Sequence, residues 1–168
     1  MMKDCKTDIL ACTPSYALLI ADTAIEMGYD PATEFPISAV ICGAEPASQN
    51  MKDEIAEKLG IQYCDVYGLS EIMGPGVAME CAERGGLHVA EDQFYCEIID
   101  PETLEVLPDG EWGELVITTL TRECSPLIRY RTRDVTRIVS EPCACGRTHR
   151  KIDYLRGRTD DMLIIRGV

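Results

Sequence analysis

The chain has 168 residues, of which 46% are hydrophobic and 27% are charged, and its formal net charge is −13. This composition is globular, and it excludes an intrinsically disordered chain and a membrane-spanning protein, whose helices need about 20 consecutive apolar residues. The acidic balance excludes a general nucleic-acid-binding surface, which requires a basic stripe. Nine cysteines, in a chain without an apolar leader, predict a reducing, cytoplasmic setting with free thiols or a metal site.

The first third of the chain alternates predicted strands and helices. The strands are predicted at 9–12, 37–42 and 61–66, and the helices at about 14–27 and 47–59. Thr13 and Pro14 are typical of a helix start. Gly28 and Gly60 are typical of helix ends. Two successive β-α-β units imply a parallel sheet with right-handed crossovers.

The pattern changes after Glu71. Residues 72–92 carry four glycines and little periodicity, which predicts a long functional loop. Later strands are predicted at 95–99, 104–107, 113–119, 127–130, 135–139 and 162–165. The predicted fold class is therefore α/β: a partial three-layer parallel sheet with helices over 1–92, followed by a small antiparallel β-barrel-like subdomain over 93–168.

A parallel sheet of only three strands is small, because such sheets are normally covered by helices on both faces. The chain also begins as though partway into a larger protein and stops on a strand at 165–168. We therefore expect a fragment of a longer protein. An exposed sheet edge near the N-terminus would invite self-association, which leaves a homodimer open.

Residues 64–71 read Cys-Asp-Val-Tyr-Gly-Leu-Ser-Glu and form the most informative segment. A predicted strand runs into a sharp turn at Tyr67-Gly68 and ends on Ser70 and Glu71. Open α/β sheets bind ligands at the carboxyl ends of their strands. The segment offers an aromatic face for a base, a glycine that admits a ligand and a carboxylate suited to Mg²⁺. Taken alone, it also fits an ordinary strand-to-loop transition.

Three other motifs accompany this segment in order along the chain. The four motifs are Cys42-Gly43-Ala44-Glu45-Pro46, Tyr67-Gly68-Leu69-Ser70-Glu71, Tyr130-Arg131-Thr132-Arg133-Asp134 and Gly157-Arg158-Thr159-Asp160. Together they resemble the adenylate-forming (ANL) superfamily of acyl- and aryl-CoA synthetases. The stretches 86–88, 97–103 and 126–130 are most similar to the phenylacetate–CoA ligases of that superfamily. The resemblance covers residues 7–168 and implies the later part of an AMP-binding N-terminal domain.

The resemblance implies an acid–thiol ligase that uses ATP to convert a phenylacetate-like aryl acid into an acyl-adenylate and then, with coenzyme A, into a thioester. It implies that Glu71 coordinates Mg²⁺ and that Ser70 lies beside the phosphate or carboxylate. Asp134 would accept hydrogen bonds from the ribose, and Arg158 would approach the ribose and α-phosphate. Asp160 would sit at the hinge to a C-terminal domain. The implied adenine site comprises Gly43, Ala44, Glu45, Pro46, Tyr67 and Gly68.

Three of these residues could instead have purely structural roles. Asp134 could be a turn residue that pairs with Arg131 or Arg133, and Arg158 could be a solvated surface arginine. Glu45 could cap the helix that begins near residue 47. The superfamily's lysine-bearing phosphate loop and its C-terminal lysine are not in the sequence, so we expect residual nucleotide binding at best and no turnover. The alternative function is a non-catalytic nucleotide- or zinc-binding module, and the sequence does not say which aryl acid is used.

Cys143 and Cys145 form a tight pair on a predicted turn and could place two sulfur atoms on one ion. Cys81 and His88 could complete a four-ligand structural zinc site, with His149 and Cys124 as spare candidates. Reduced cysteines without metal account for the pair equally well. His88 could instead line the acyl-substrate pocket. The remaining cysteines are expected to be small buried apolar residues: Cys5, Cys12, Cys42, Cys64 and Cys96.

Overall fold

The computed structural model describes residues 2–160, which form two compact units that divide between Val66 and Tyr67. The helices are α1 (Pro14–Glu26), α2 (Pro31–Glu34) and α3 (Gln49–Leu59). The strands are β1 (Ile9–Cys12), β2 (Ala39–Cys42), β3 (Gln62–Leu69), β4 (Gly74–Glu80), β5 (Leu87–Val89), β6 (Phe94–Ile99), β7 (Gly113–Thr119), β8 (Tyr130–Thr136), β9 (Ile138–Val139), β10 (Lys151–Ile152) and β11 (Gly157–Arg158). The strand predicted at 162–165 lies outside the described residues.

The first unit confirms the predicted β-α-β pattern. Strands β1, β2 and β3 run parallel in that order. Helix α1 begins where the Thr13 side chain accepts a hydrogen bond from the Tyr16 amide, and α3 ends at Gly60 with φ +64°. Ala17 and Ala21 of α1 and Ile55 of α3 are buried in one apolar cluster with the sheet, because each helix carries an apolar stripe.

The prediction of a long loop at 72–92 is wrong, because this segment contains β4 and β5. The two strands pair antiparallel, and β10 and β9 extend the same sheet in the order β4-β5-β10-β9. Val77 and Ala78 of β4 and Leu87 and Val89 of β5 are buried in the apolar core of the second unit. They pack there with later strands of the same unit, which begins at Tyr67.

The second sheet of this unit is open. The prediction of a barrel-like subdomain is therefore wrong for the described residues. Its order is β11-β8-β7-β6, and all its pairings are antiparallel. The strand predicted at 104–107 is reduced to a single bridge between Ile99 and Val106. The strand predicted at 127–130 begins only at Tyr130. Strands β6 and β11 therefore remain as edges, and the fold is mixed α/β.

None of the helices within residues 2–160 combines the length and the apolar character required to cross a bilayer.

Candidate nucleotide site and metal centre

The predicted turn at Tyr67-Gly68 lies inside strand β3, and the chain reverses only at residues 70–73. Gly68 is required there, because a Cβ atom on it would lie 1.8 Å from the carbonyl oxygen of Gly74. Ser70 and Glu71 are exposed on the turn. The Arg122 guanidinium donates hydrogen bonds to the backbone oxygens of residues 71 and 72, at 2.5 and 2.8 Å, which holds the turn against the rest of the unit.

Asp134 is the centre of a buried polar network. Its Oδ2 accepts a hydrogen bond of 2.6 Å from the Tyr67 hydroxyl, and its Oδ1 accepts one of 2.8 Å from Arg158. Arg158 also donates two hydrogen bonds to Asp160, at 2.7 and 2.8 Å. The alternative that Arg158 is a solvated surface arginine is therefore wrong. Residues from three of the four sequence motifs meet at one carboxylate.

The electrostatics of this network follow from burial. Desolvation raises the pKa of Asp134, and the hydrogen bond from Tyr67 and the charge of Arg158 act against it. Hydrogen bonding to Asp160 raises the pKa of Arg158, which keeps the guanidinium charged. The pKa of Tyr130 is raised by burial first and then by the negative charge of Glu71. The charge of Asp134 also raises the pKa of Tyr130, and the charge of Arg158 lowers it.

The arginines of the Tyr130–Asp134 motif have a different partner, Glu114 of β7, which sequence reasoning missed. Arg131 donates to both Glu114 oxygens, at 2.8 and 2.7 Å, and Arg133 lies 3.6 Å away. The alternative pairing of Asp134 with either arginine is therefore wrong. Glu114 is wholly buried, and the Thr159 hydroxyl donates to it at 3.1 Å. The available signal was a charged residue inside the apolar run 113–119.

The Gly43–Pro46 motif belongs to the first unit. A Cβ atom on Gly43 would lie 2.6 Å from the Val66 backbone oxygen, so the loop packs closely against β3. The Glu45 carboxylate accepts a 2.5 Å hydrogen bond from the Ser15 amide in the first turn of α1. Glu45 therefore caps α1, whereas Ser48 caps α3, so the predicted cap acts on the other helix. The adenine role implied for this motif stays a prediction.

Four predicted metal ligands from separate parts of the chain converge in the second unit. Ligand atoms of Cys81, His88, Cys143 and Cys145 all lie within 4.8 Å of one another. Cys81 follows β4, His88 is in β5, and the two other cysteines lie in the connection from β9 to β10. The spare candidates His149 and Cys124 are not members of this cluster.

His88 also lines a cavity of about 220 Å³ in the second unit. Glu80, Asp92, Arg147 and His149 line the same cavity. Burial lowers the pKa of His88, which favours the neutral imidazole. The two roles predicted for His88, metal ligand and pocket wall, are therefore geometrically compatible, and an acyl group in this cavity stays a prediction.

Comparison with known proteins gives one consistent result. The family model of AMP-binding enzymes matches residues 1–121. Three phenylacetate-coenzyme A ligases are similar to this chain over its whole length. The ligase of Aromatoleum evansii is 53% identical to it, that of Escherichia coli 49% and that of Thermus thermophilus 47%. The chain spans 38% of the length of these curated relatives.

Solved structures of CoA ligases have a similar fold. A 2-hydroxyisobutyryl-CoA ligase in complex with 2-HIB-AMP and CoA is 29% identical, with a TM-score of 0.92 over 99% of this chain and 35% of that protein. A long-chain-fatty-acid-CoA ligase from Archaeoglobus fulgidus shares the fold at 17% identity and a TM-score of 0.65, over 95% of this chain and 36% of that one. The chain therefore belongs to the family of AMP-binding enzymes.

Proposed function

We propose that this chain is part of an acid–thiol ligase that joins a phenylacetate-like aryl acid to coenzyme A through an acyl-adenylate. The observation that carries the proposal is the identity of 47–53% over the whole chain to phenylacetate-coenzyme A ligases. In the proposed reaction, a carboxylate oxygen of the acid attacks the α-phosphorus of ATP, and pyrophosphate leaves. The CoA thiol then attacks the acyl carbon, and AMP leaves.

Asp134 is the group best prepared to accept hydrogen bonds from ribose hydroxyls. Tyr67 and Arg158 each bond to one of its oxygens, and a carboxylate oxygen has a second lone pair to offer a ligand. Because both partners are fixed by the fold, the carboxylate is oriented before nucleotide binds. Arg158 adds positive charge where the α-phosphate would lie, and Asp160, which orients it, is proposed as the hinge residue.

Ser70 and Glu71 are proposed to face the reacting groups from the exposed turn 70–73. The Glu71 carboxylate fits Mg²⁺, a hard cation that prefers oxygen ligands, and the ion when bound would neutralise phosphate charge. The adenine is proposed to contact Tyr67 and Gly68 of β3. The adenine role implied for Gly43, Ala44, Glu45 and Pro46 stays a prediction.

Replacing Asp134 by Asn is expected to weaken AMP binding by roughly 10- to 100-fold, because a charge-assisted hydrogen bond contributes about 1.5–3 kcal/mol. The measurement is calorimetric titration of the 168-residue chain with AMP. Asp109→Asn is the matched control, since Asp109 also pairs with an arginine, Arg150, but is exposed. Equal affinities of the two folded variants for AMP would contradict the ribose role.

A chimera tests the ligase activity itself. The 168 residues replace the aligned segment of the Escherichia coli phenylacetate-coenzyme A ligase, which is 49% identical to them. We expect the chimera to form phenylacetyl-CoA, and Glu71→Gln in it to lower turnover by about 100-fold, whereas the exposed Glu105→Gln leaves turnover unchanged. The 168-residue chain alone should give no ATP–pyrophosphate exchange.

The second candidate, a non-catalytic binding module, is favoured only by the cysteine–histidine cluster. The chimera separates the two functions. A folded chimera that binds ATP but forms no adenylate with phenylacetate, benzoate or indoleacetate would support the module and contradict the ligase.

A further inference from the structure

We propose that Cys81, His88, Cys143 and Cys145 hold one zinc ion in a closed tetrahedral site that stabilises the second unit. The site is independent of the proposed nucleotide chemistry, because none of its four ligands belongs to the motifs around Asp134.

Two of the distances between ligand atoms match a tetrahedron around zinc. Zinc–sulfur bonds of about 2.3 Å and zinc–nitrogen bonds of about 2.0–2.1 Å place two sulfur atoms about 3.8 Å apart and sulfur about 3.5 Å from nitrogen. The Sγ atoms of Cys81 and Cys143 are 3.5 Å apart, and Sγ of Cys145 is 3.4 Å from Nε2 of His88. All four ligand atoms face one another within 4.8 Å, although they come from three separate segments.

The donor set selects the metal. Three thiolates and one imidazole suit zinc, whereas magnesium and calcium require oxygen ligands. His88 is buried, with 7% of its surface exposed, and its Nε2 is the nitrogen directed at the cysteines. Its Nδ1 makes no hydrogen bond to a side chain in the described part of the chain. Four protein ligands leave no open coordination position, which is typical of structural zinc.

The surroundings complement the charge of such a site. Zinc with three thiolates carries one excess negative charge. Arg147 and Lys151 both act electrostatically on His88. Lys151 is directly opposite His88 in the pairing of β10 with β5. Positive charge therefore lies near His88.

A zinc ion would fasten a segment that has little other regular structure. The connection 140–150 contains no helix or strand, and Cys143 and Cys145 lie on its turn. The ion would link this connection to His88 in β5 and to Cys81 after β4. Because a structural ion binds the folded chain far better than the unfolded chain, its binding energy becomes folding energy.

The test compares metal binding by the 168-residue chain and matched variants. We expect one equivalent of zinc in the purified chain, and a loss of affinity of at least about 100-fold in Cys145→Ser. Cys124→Ser changes an exposed cysteine outside the cluster and should retain zinc. His88→Gln should lose zinc, whereas His149→Gln, also outside the cluster, should retain it. Trp112, the only tryptophan and a residue of the second unit, reports by fluorescence whether each variant is folded.

A second measurement needs no variant. Removal of zinc from the wild-type chain with a chelator should lower its thermal midpoint, and added zinc should restore it. Cobalt(II) in place of zinc should give the intense visible bands of tetrahedral coordination and a thiolate charge-transfer band. Any of three results would overturn the proposal. They are an octahedral cobalt spectrum, an equal loss of zinc in Cys124→Ser and Cys145→Ser, and a disulfide between Cys81 and Cys143 in the freshly purified chain.

Discussion

Gly68→Ala is expected to lower the free energy of unfolding of the second unit by about 3 kcal/mol, the upper part of the usual range for overpacking. The added Cβ would lie 1.8 Å from the Gly74 carbonyl oxygen and 2.8 Å from the Cα of Pro75. Both neighbours are backbone atoms, which cannot rotate away as the end of a side chain can. The turn 70–73 would have to move, and Ser70 and Glu71 would move with it.

Chemical denaturation followed by Trp112 fluorescence measures this loss. Gly110→Ala is the matched control, because its added Cβ meets no atom within 4 Å and only the positive φ of +92° opposes it. A cost of about 1–2 kcal/mol is expected for that backbone conformation alone. If Gly68→Ala costs no more than Gly110→Ala, the close contact between residues 68 and 74 is not a constraint on the fold.

Glu114→Gln is expected to destabilise the second unit by about 3 kcal/mol, because it removes one partner of a buried ion pair. Glu114 is wholly buried, and both its oxygens accept hydrogen bonds from Arg131. The amide offers one acceptor oxygen and turns its NH₂ group towards a guanidinium. Glu97→Gln on the neighbouring strand β6 is the control, since its partner Arg129 is exposed and such pairs contribute less than about 1 kcal/mol.

The difference in the free energy of unfolding between wild type and Glu114→Gln depends on pH with a definite sign. Burial acts to raise the pKa of Glu114, but hydrogen bonds from Arg131 and Thr159 and the charges of Arg131 and Arg133 outweigh it, so the pKa lies below the ordinary value of 4.5. Ionised Glu114 therefore stabilises the fold above its unfolded pKa, and this stability is lost as the pH falls through the folded pKa. The difference between wild type and Glu114→Gln should shrink on acidification from about pH 6 to about pH 3. A constant difference would contradict the ionised pair.

The first unit could be predicted from the sequence because its signals are local. Thr13-Pro14 and Gly60 mark helix boundaries within one turn of the chain, and β1 and α1 are found where they were predicted. The segment 72–92 could not be predicted in this way. Strand β5 is only three residues long, and it forms because β4 and β10 pair with its two edges. Such pairing joins residues distant in sequence and leaves no local period to detect.

The sequence by itself determined the family, through four motifs in order, and it named the four members of the cysteine–histidine cluster. Only the tertiary structure decided the partners: Tyr67 and Arg158 for Asp134, and Arg131 for Glu114. The reason is physical. A motif records which residue types occur and their spacing, whereas the partner of a buried charge depends on which strands pair and in what register. Strand β8 presents Arg131 to β7 and Asp134 to β11, and no spacing along the chain contains that information.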